Sequence, residues 1–258
     1  MPLRTASARS TKASCVLIAP QWVLTAAHVV KGNDWMALED YQFIFDGQSF
    51  HAARVIIHPD FDRELGGVTK GLARTAAGVD LALVKLTKPV RNVRPAVRYR
   101  DSREIGKVMT KVGHGTAGDG IAGYHRPFLF ERRGGNNRID AAGGAFGDLL
   151  VSNSVLLVDF DSPSDSESSR LGDPTPLELE IGCSPGDSGG AWFIRDDEDG
   201  CAWKLVAVTS GWIPQDGDPY NPQNNTGMYG TIGAGMRISA LNAWIDEVIG
   251  MPSDESTP

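Results

Sequence analysis

Ser188 lies in SPGDSGGAW, residues 184–192, among three glycines and a proline. A serine hydroxyl is a weak nucleophile until a neighbouring base removes its proton, and histidine is the usual base. The stretch also satisfies G-x-S-x-G, a weak signal alone because short glycine motifs recur by chance in turns. Chain order discriminates. The histidines are His28, His51, His58, His114 and His125, and all precede Ser188. A nucleophile elbow of the α/β-hydrolase kind needs its histidine after the serine, so that reading fails. No acid occurs before Asp34, so an aspartate–histidine–serine order excludes His28 and stays open only for the later histidines. The order histidine–aspartate–serine remains open as well.

Two segments supply candidates for that last order. Trp22-Val23-Leu24-Thr25-Ala26-Ala27-His28 reads as an apolar strand ending in small residues that let the chain turn tightly beside an imidazole. Asp80 opens Asp80-Leu81-Ala82-Leu83-Val84-Lys85-Leu86, a strand pattern with one acid at its mouth. A carboxylate there can accept the Nδ1–H of His28, hold the tautomer, and stabilise the imidazolium that forms as Ser188 attacks.

With these segments together, the chain resembles the trypsin/chymotrypsin family of serine peptidases. WVLTAAH, HPDF followed by DLALVKL, and PGDSGG match the three family blocks in order and spacing, and GAGMRISALNAWIDEVI is similar to the family's last strand and closing helix. The resemblance covers roughly Cys15 to Ile249. The glycine-rich GHGTAGDGIAG is more similar to bacterial branches than to the disulfide-rich animal enzymes. It implies an all-β fold of two six-stranded antiparallel Greek-key barrels with a C-terminal helix. The whole of 1–258 would form one peptidase domain: about 15–100 the first barrel, about 106–238 the second, 239–250 the helix. The segment before Cys15 is short, so the first barrel is left open to lacking its N-terminal strand.

The resemblance also implies roles. His28, Asp80 and Ser188 are the expected catalytic residues, and the N–H groups of Gly186 and Ser188 the expected oxyanion hole. Gly182, Ser210, Gly211, Trp212 and Gly233 are the expected substrate pocket. With no acid at Gly182, a small or apolar residue is expected before the scissile bond. Glu178 and Glu180 keep a basic preference as the alternative. The substrate would be a protein or peptide, hydrolysed through an acyl-enzyme on Ser188. The second reading is a catalytically impaired binding module of the same fold.

Some features depart from the family pattern. No sequence like Ile-Val-Gly-Gly offers a new amino terminus to pair with Asp187, the acid before the nucleophile. An arginine stays charged and binds carboxylates well. Of Arg132, Arg133 and Arg138 in the glycine-rich loop, Arg138 is the expected partner, since Asn136-Asn137 can turn the chain inward. Cys15, Cys183 and Cys201 allow at most one intrachain disulfide, and free thiols are favoured over a Cys183–Cys201 pair. Residues 1–14 lack the apolar core of a signal peptide, although the resemblance implies a secreted or periplasmic protein.

Bulk properties fit one globular domain. The chain has 258 residues, 41% of them hydrophobic, and a net charge of −7. Acidic balance without a basic cluster argues against nucleic acid as a partner. No apolar run approaches the roughly 20 residues of a membrane span. A monomer is expected. His58-Pro59-Asp60 has a metal-like look, but no second ligand pair stands at zinc spacing, so neither metal nor other cofactor is expected. Thr116–Asp148, Asp161–Pro176 and Ile213–Gly227 read as long loops. Leu241, Trp244, Ile245 and Val248 repeat at helical spacing behind Ser239, a candidate N-cap.

Overall fold

A computed structural model of the chain describes residues 2–5, 13–31, 37–62, 79–125, 131–146, 149–213 and 227–250. Seven strands come first: β1 (Pro2–Thr5), β2 (Ala13–Ser14), β3 (Val16–Ala19), β4 (Trp22–Thr25), β5 (Tyr41–Phe45), β6 (Gln48–Ile57) and β7 (Ala82–Leu86). They pair in the order β2-β1-β5-β6-β7-β4-β3, every pair antiparallel. β2 and β3 sit at opposite edges of this order, yet Cys15 alone separates them in the chain. One run therefore joins both edges, and the seven segments close into a barrel of six runs. β1 pairs with both β2 and β5, so the first barrel has its N-terminal strand and the alternative left open above does not hold.

After β8 (Val97–Arg98) in the connecting segment, the second barrel begins with β9 (Val108–Gly113). A short hairpin, β10 (Gly118–Asp119) with β11 (Gly123–Tyr124), precedes β12 (Arg133–Arg138) and β13 (Ala141–Phe146). Then come β14 (Leu149–Asp159), β15 (Ala191–Asp196), β16 (Ala202–Ile213) and β17 (Ile232–Arg237). Their order is β12-β9-β15-β16-β17-β14-β13, with β8 pairing alongside β16. Only Ile139 and Asp140 separate β12 from β13, so here too one run links the two edges and six runs close the sheet. β12 and β13 lie in what the sequence presents as a loop. RGGNNR and AAGGAF hold no β-branched residue and a single aromatic, Phe146, so they carry little strand signal, and they hold their place through pairing with β9 and β14.

Alternation within the strands builds three apolar clusters. Leu17, Val23, Ala82, Val84 and Leu86 fill the first barrel with Phe43, Phe45 and Phe50. Met109, Leu156, Trp192, Ile194 and Val206 fill the second. The opposite faces of the same strands, Val16, Ile18, Trp22, Leu24, Leu81 and Leu83, join Val155, Leu157, Leu205, Val208 and Met236 in a shared core between the barrels. This explains why β4 is buried at all four positions: one face points into the barrel, the other into the seam.

Helix α1 (Ala27–Val30) is one turn at the end of β4; helix α2 (Ile238–Gly250) closes the chain. Ile238, Leu241, Ile245 and Val248 of α2 enter the shared core, as their helical spacing requires. Ser239 lies inside the first turn of α2 rather than ahead of it, and its hydroxyl donates to Glu104 instead of capping the helix. Glu104 is fully buried and also takes the guanidinium of Arg237 at 2.7 Å.

Candidate active site

β4 ends at Thr25, and the small residues Ala26 and Ala27 let α1 start at once, which places His28 at the seam. Asp80 stands two residues before β7, the neighbour of β4, and is 2% exposed. The backbone N–H of His28 donates to Asp80 Oδ1 at 2.8 Å, and His28 Nδ1 lies 2.7 Å from Asp80 Oδ2. Ser210 Oγ donates to the same Oδ2 at 2.5 Å. Burial pushes the Asp80 carboxyl up, but the His28 imidazole and the Ser210 hydroxyl outweigh it and hold the group below the usual carboxylate range. An ionised Asp80 only accepts, so Nδ1 of His28 carries the proton and Nε2 presents a lone pair. That Nε2 lies 2.9 Å from Ser188 Oγ. The His28 side chain is 38% exposed, so the pair faces solvent where a substrate would enter.

Ser188 sits in the turn before β15. Gly186 has φ +97°, a conformation that side chains resist, and this leads the chain into Ser188. Among the described residues, neither the Gly186 N–H nor the Ser188 N–H has an intramolecular acceptor, so both remain available to an oxyanion. Asp187, between them, turns inward and is 7% exposed.

The partner of Asp187 is Lys111, not Arg138. Lys111 Nζ lies 2.7 Å from Asp187 Oδ2 and 2.8 Å from the Gly182 carbonyl, and the residue is 1% exposed. Asp187 Oδ1 also accepts from Gly115 N at 3.0 Å, and Oδ2 from Ser184 N at 3.1 Å. A Cβ at Gly113 or Gly115 would fall 2.4 Å from Oδ1, so glycine alone allows this approach. Burial depresses the Lys111 ammonium, but the Asp187 charge beside it more than compensates and keeps it protonated. Arg138 instead donates to the Gly106 carbonyl at 3.3 Å. Register gives the reason: on β9, Gly135 of β12 faces Lys111 while Arg138 faces Val108. Three residues along a strand displace a side chain by about 10 Å. Arg133 pairs with Glu131 at 2.7 Å, and Arg132 is exposed. Lys111 has a sequence signal in retrospect, since it alternates with Met109 and Gly113 on the inward face of β9.

The expected pocket residues fall into two roles. Gly211 and Trp212 follow Ser210 on β16, and Gly233 on β17 pairs with Trp212. A Cβ on Gly233 would lie 2.8 Å from Cys183 Sγ, and one on Gly182 would lie 3.0 Å from the Phe160 ring. Gly182, Cys183 and Gly233 thus form one tightly packed wall, while the Ser210 side chain is committed to Asp80. Glu178 is exposed, and Glu180 spends its oxygens on the N–H groups of Asp161 and Leu177. Most of the expected loop Ile213–Gly227 (214–226) falls outside the described residues. A cavity of about 300 Å³ is lined by Thr116, Phe160, Glu180, Cys183, Ser184 and Asp187 among others; neither His28 nor Ser188 borders it.

None of the three cysteines forms a disulfide; Cys15 and Cys183 are buried and Cys201 is exposed. His58 packs against Trp244 with ring centroids 4.7 Å apart, and its Nδ1 accepts from Asp60 N. Among the described residues no group of three His, Cys, Asp or Glu side chains could hold a metal ion, and no helix is long and apolar enough to cross a membrane.

The family model for trypsin matches residues 2–125, which include His28 and Asp80 and stop short of Ser188. Complement C1s subcomponent of Sus scrofa is 35% identical over 89 residues, covering 32% of this chain; the match spans 12% of that relative's length. The matched segment contains the first barrel with its histidine and aspartate, and the second barrel supplies the serine within 2.9 Å of that histidine. Over residues 2–125, just under half of its length, the chain is similar to the trypsin family, and this match together with the Complement C1s likeness supports a trypsin-like serine peptidase.

Proposed function

We propose that this protein is a serine endopeptidase acting through an acyl-enzyme on Ser188. The observation that carries the reading is the unbroken relay from Asp80 Oδ2 through His28 to Ser188 Oγ, at 2.7 Å and 2.9 Å, beside two N–H groups without internal acceptors. As Ser188 Oγ bonds to the substrate carbonyl carbon, its proton passes to His28 Nε2. The carbonyl oxygen takes the negative charge and is held by Gly186 N–H and Ser188 N–H; one such donor is typically worth about 3 kcal/mol of barrier. Collapse breaks the C–N bond, and His28 gives its proton to the leaving amine. Water repeats the sequence on the ester, with His28 first as base and then as acid.

The packed wall of Gly182, Cys183 and Gly233 supports a small or apolar residue before the scissile bond. A peptide-library profile should show Ala, Val or Leu there; dominance of Lys or Arg would overturn this preference. The activity itself is tested with a fluorophosphonate probe and a peptide-ester substrate. Purified protein should be labelled and turn over, and Ser188→Ala should abolish both. Unchanged labelling in Ser188→Ala would refute the assignment.

A further inference from the structure

The nucleophile loop is held not only through Asp187. Ser14, at the end of β2, is fully buried although it is a polar residue of the other barrel. Its Oγ donates to the Gly186 carbonyl at 2.9 Å, and it accepts from His114 N at 2.9 Å. Its backbone N–H donates to the Ser188 carbonyl at 2.8 Å, and its carbonyl accepts from Thr25 Oγ1 at 2.9 Å. A hydroxyl has one proton. Since His114 N–H already occupies a lone pair of Oγ, the arrangement sends that proton to Gly186. The contact is close enough that a Cβ on Gly189 would fall 2.0 Å from the Ser14 carbonyl oxygen.

We infer that Ser14 is a positioning residue: its hydroxyl latches the Gly186 carbonyl and so fixes the Gly186–Asp187 peptide plane, which lies between the two oxyanion donors and sets their aim. The inference rests on the serine-peptidase reading above and deepens it. Gly186, with φ +97°, has no side chain to restrain its backbone, and its carbonyl is the handle by which the first barrel holds it. Lys111 restrains the Asp187 side chain; Ser14 restrains the backbone. Ser14 touches neither substrate nor reacting atoms. Its loss should therefore lower turnover while leaving ground-state binding alone.

The test compares Ser14→Ala with Leu17→Val, which removes a methylene from the first barrel's core in the adjoining strand β3 without touching the loop. Steady-state kinetics, thermal unfolding and amide hydrogen exchange are measured on the full chain. Ser14→Ala should lower kcat about tenfold with KM within about twofold, the cost expected when a part-buried carbonyl and a buried N–H lose their partner. The Asp187 and Gly190 amides, which bond to Ser184 and Asp187 carbonyls, should exchange about tenfold faster. Leu17→Val should lose stability but keep kcat and loop exchange. If Ser14→Ala fails to fold, Ser14→Cys keeps the shape with a weak donor and carries the same expectation. Wild-type kcat and loop exchange in the variant, a loss confined to KM, or an effect equal to that of Leu17→Val would overturn the latch. If the unmodified protein shows no Ser188-dependent turnover, the peptidase reading falls, and the exchange data alone then decide whether Ser14 holds the loop.

Discussion

Replacing Lys111 by Met removes a charge while keeping most of the buried stem. At 2.7 Å, the Lys111–Asp187 pair interacts with about 6 kcal/mol at an effective dielectric of about 20. Part of that offsets the cost of burying both ions. Breaking one side of a buried pair leaves an uncompensated charge and typically costs about 3–5 kcal/mol. Asp187 would keep the Gly115 and Ser184 N–H groups but lose its only cation among the described residues, with its side chain 10% exposed. For a chain of this size each kcal/mol shifts Tm by about 2–4 °C, so Lys111→Met should melt roughly 6–20 °C lower. The same change frees Asp187 to swing out and carry Gly186 with it. Turnover of a peptide ester should drop at least about tenfold at temperatures where the variant is folded. Lys111→Met/Asp187→Asn should recover stability, because no buried charge is left, but not turnover. Differential scanning calorimetry and active-site titration read the two effects separately. A Lys111→Met protein with native Tm and native turnover would refute the reasoning. So would a native protein whose hydrolysis begins only after proteolytic removal of an N-terminal peptide, because Asp187 already has an internal cation.

Arg138→Ala should leave turnover within about twofold, since Arg138 bonds the Gly106 carbonyl and not Asp187; a loss matching that of Lys111→Met would reverse the assignment. Ser210→Ala removes one donor from Asp80, so the carboxyl should rise towards its ordinary range and the acid limb of the kcat/KM profile should move to higher pH; an unmoved limb would show that the Ser210 bond contributes nothing. Asp140 is pushed up to about 7 by burial and by the Asp159 and Asp161 carboxylates, with Arg138 opposing. An acid raised in the folded state contributes stability below its unfolded pKa of about 3.9 and loses it as pH rises to about 7. Asp140→Asn should therefore flatten the fall in stability between about pH 4 and 7 seen in urea unfolding, and an unchanged slope would remove Asp140 as its source.

The sequence was most legible where chemistry restricts residue type. Ser188, His28 and Asp80 stand out because nucleophile, base and orienting acid must be those types, in an order that excludes other arrangements. Lys111 was hidden because its meaning depends on register. A lysine in KVMTKVG reads as a solvated strand residue until Met109 and Gly113 are known to face inward. Arg138 illustrates the converse: it is near the right strand in sequence but three register positions from the carboxylate. β12 and β13 were invisible because glycine and asparagine carry little strand preference, and pairing to neighbours on both sides overrides that deficit. Ser14 could not be read at all, since its four partners lie on three distant segments.

The apolar seam between the barrels makes them thermodynamically inseparable. Leu24 and Leu83 on one side and Val155, Leu205 and Ile245 on the other are fully buried only against each other's barrels. A barrel on its own would present that surface to water, at a cost of roughly 1.5–3 kcal/mol per large side chain. Neither half therefore has a stable folded state to visit alone, and unfolding should be cooperative across the whole molecule. His28 and Ser188, held by opposite sides of the seam, then have no partially unfolded form in which they drift apart while the rest persists. In denaturant, the curve for lost turnover should overlay the curve for lost tertiary structure.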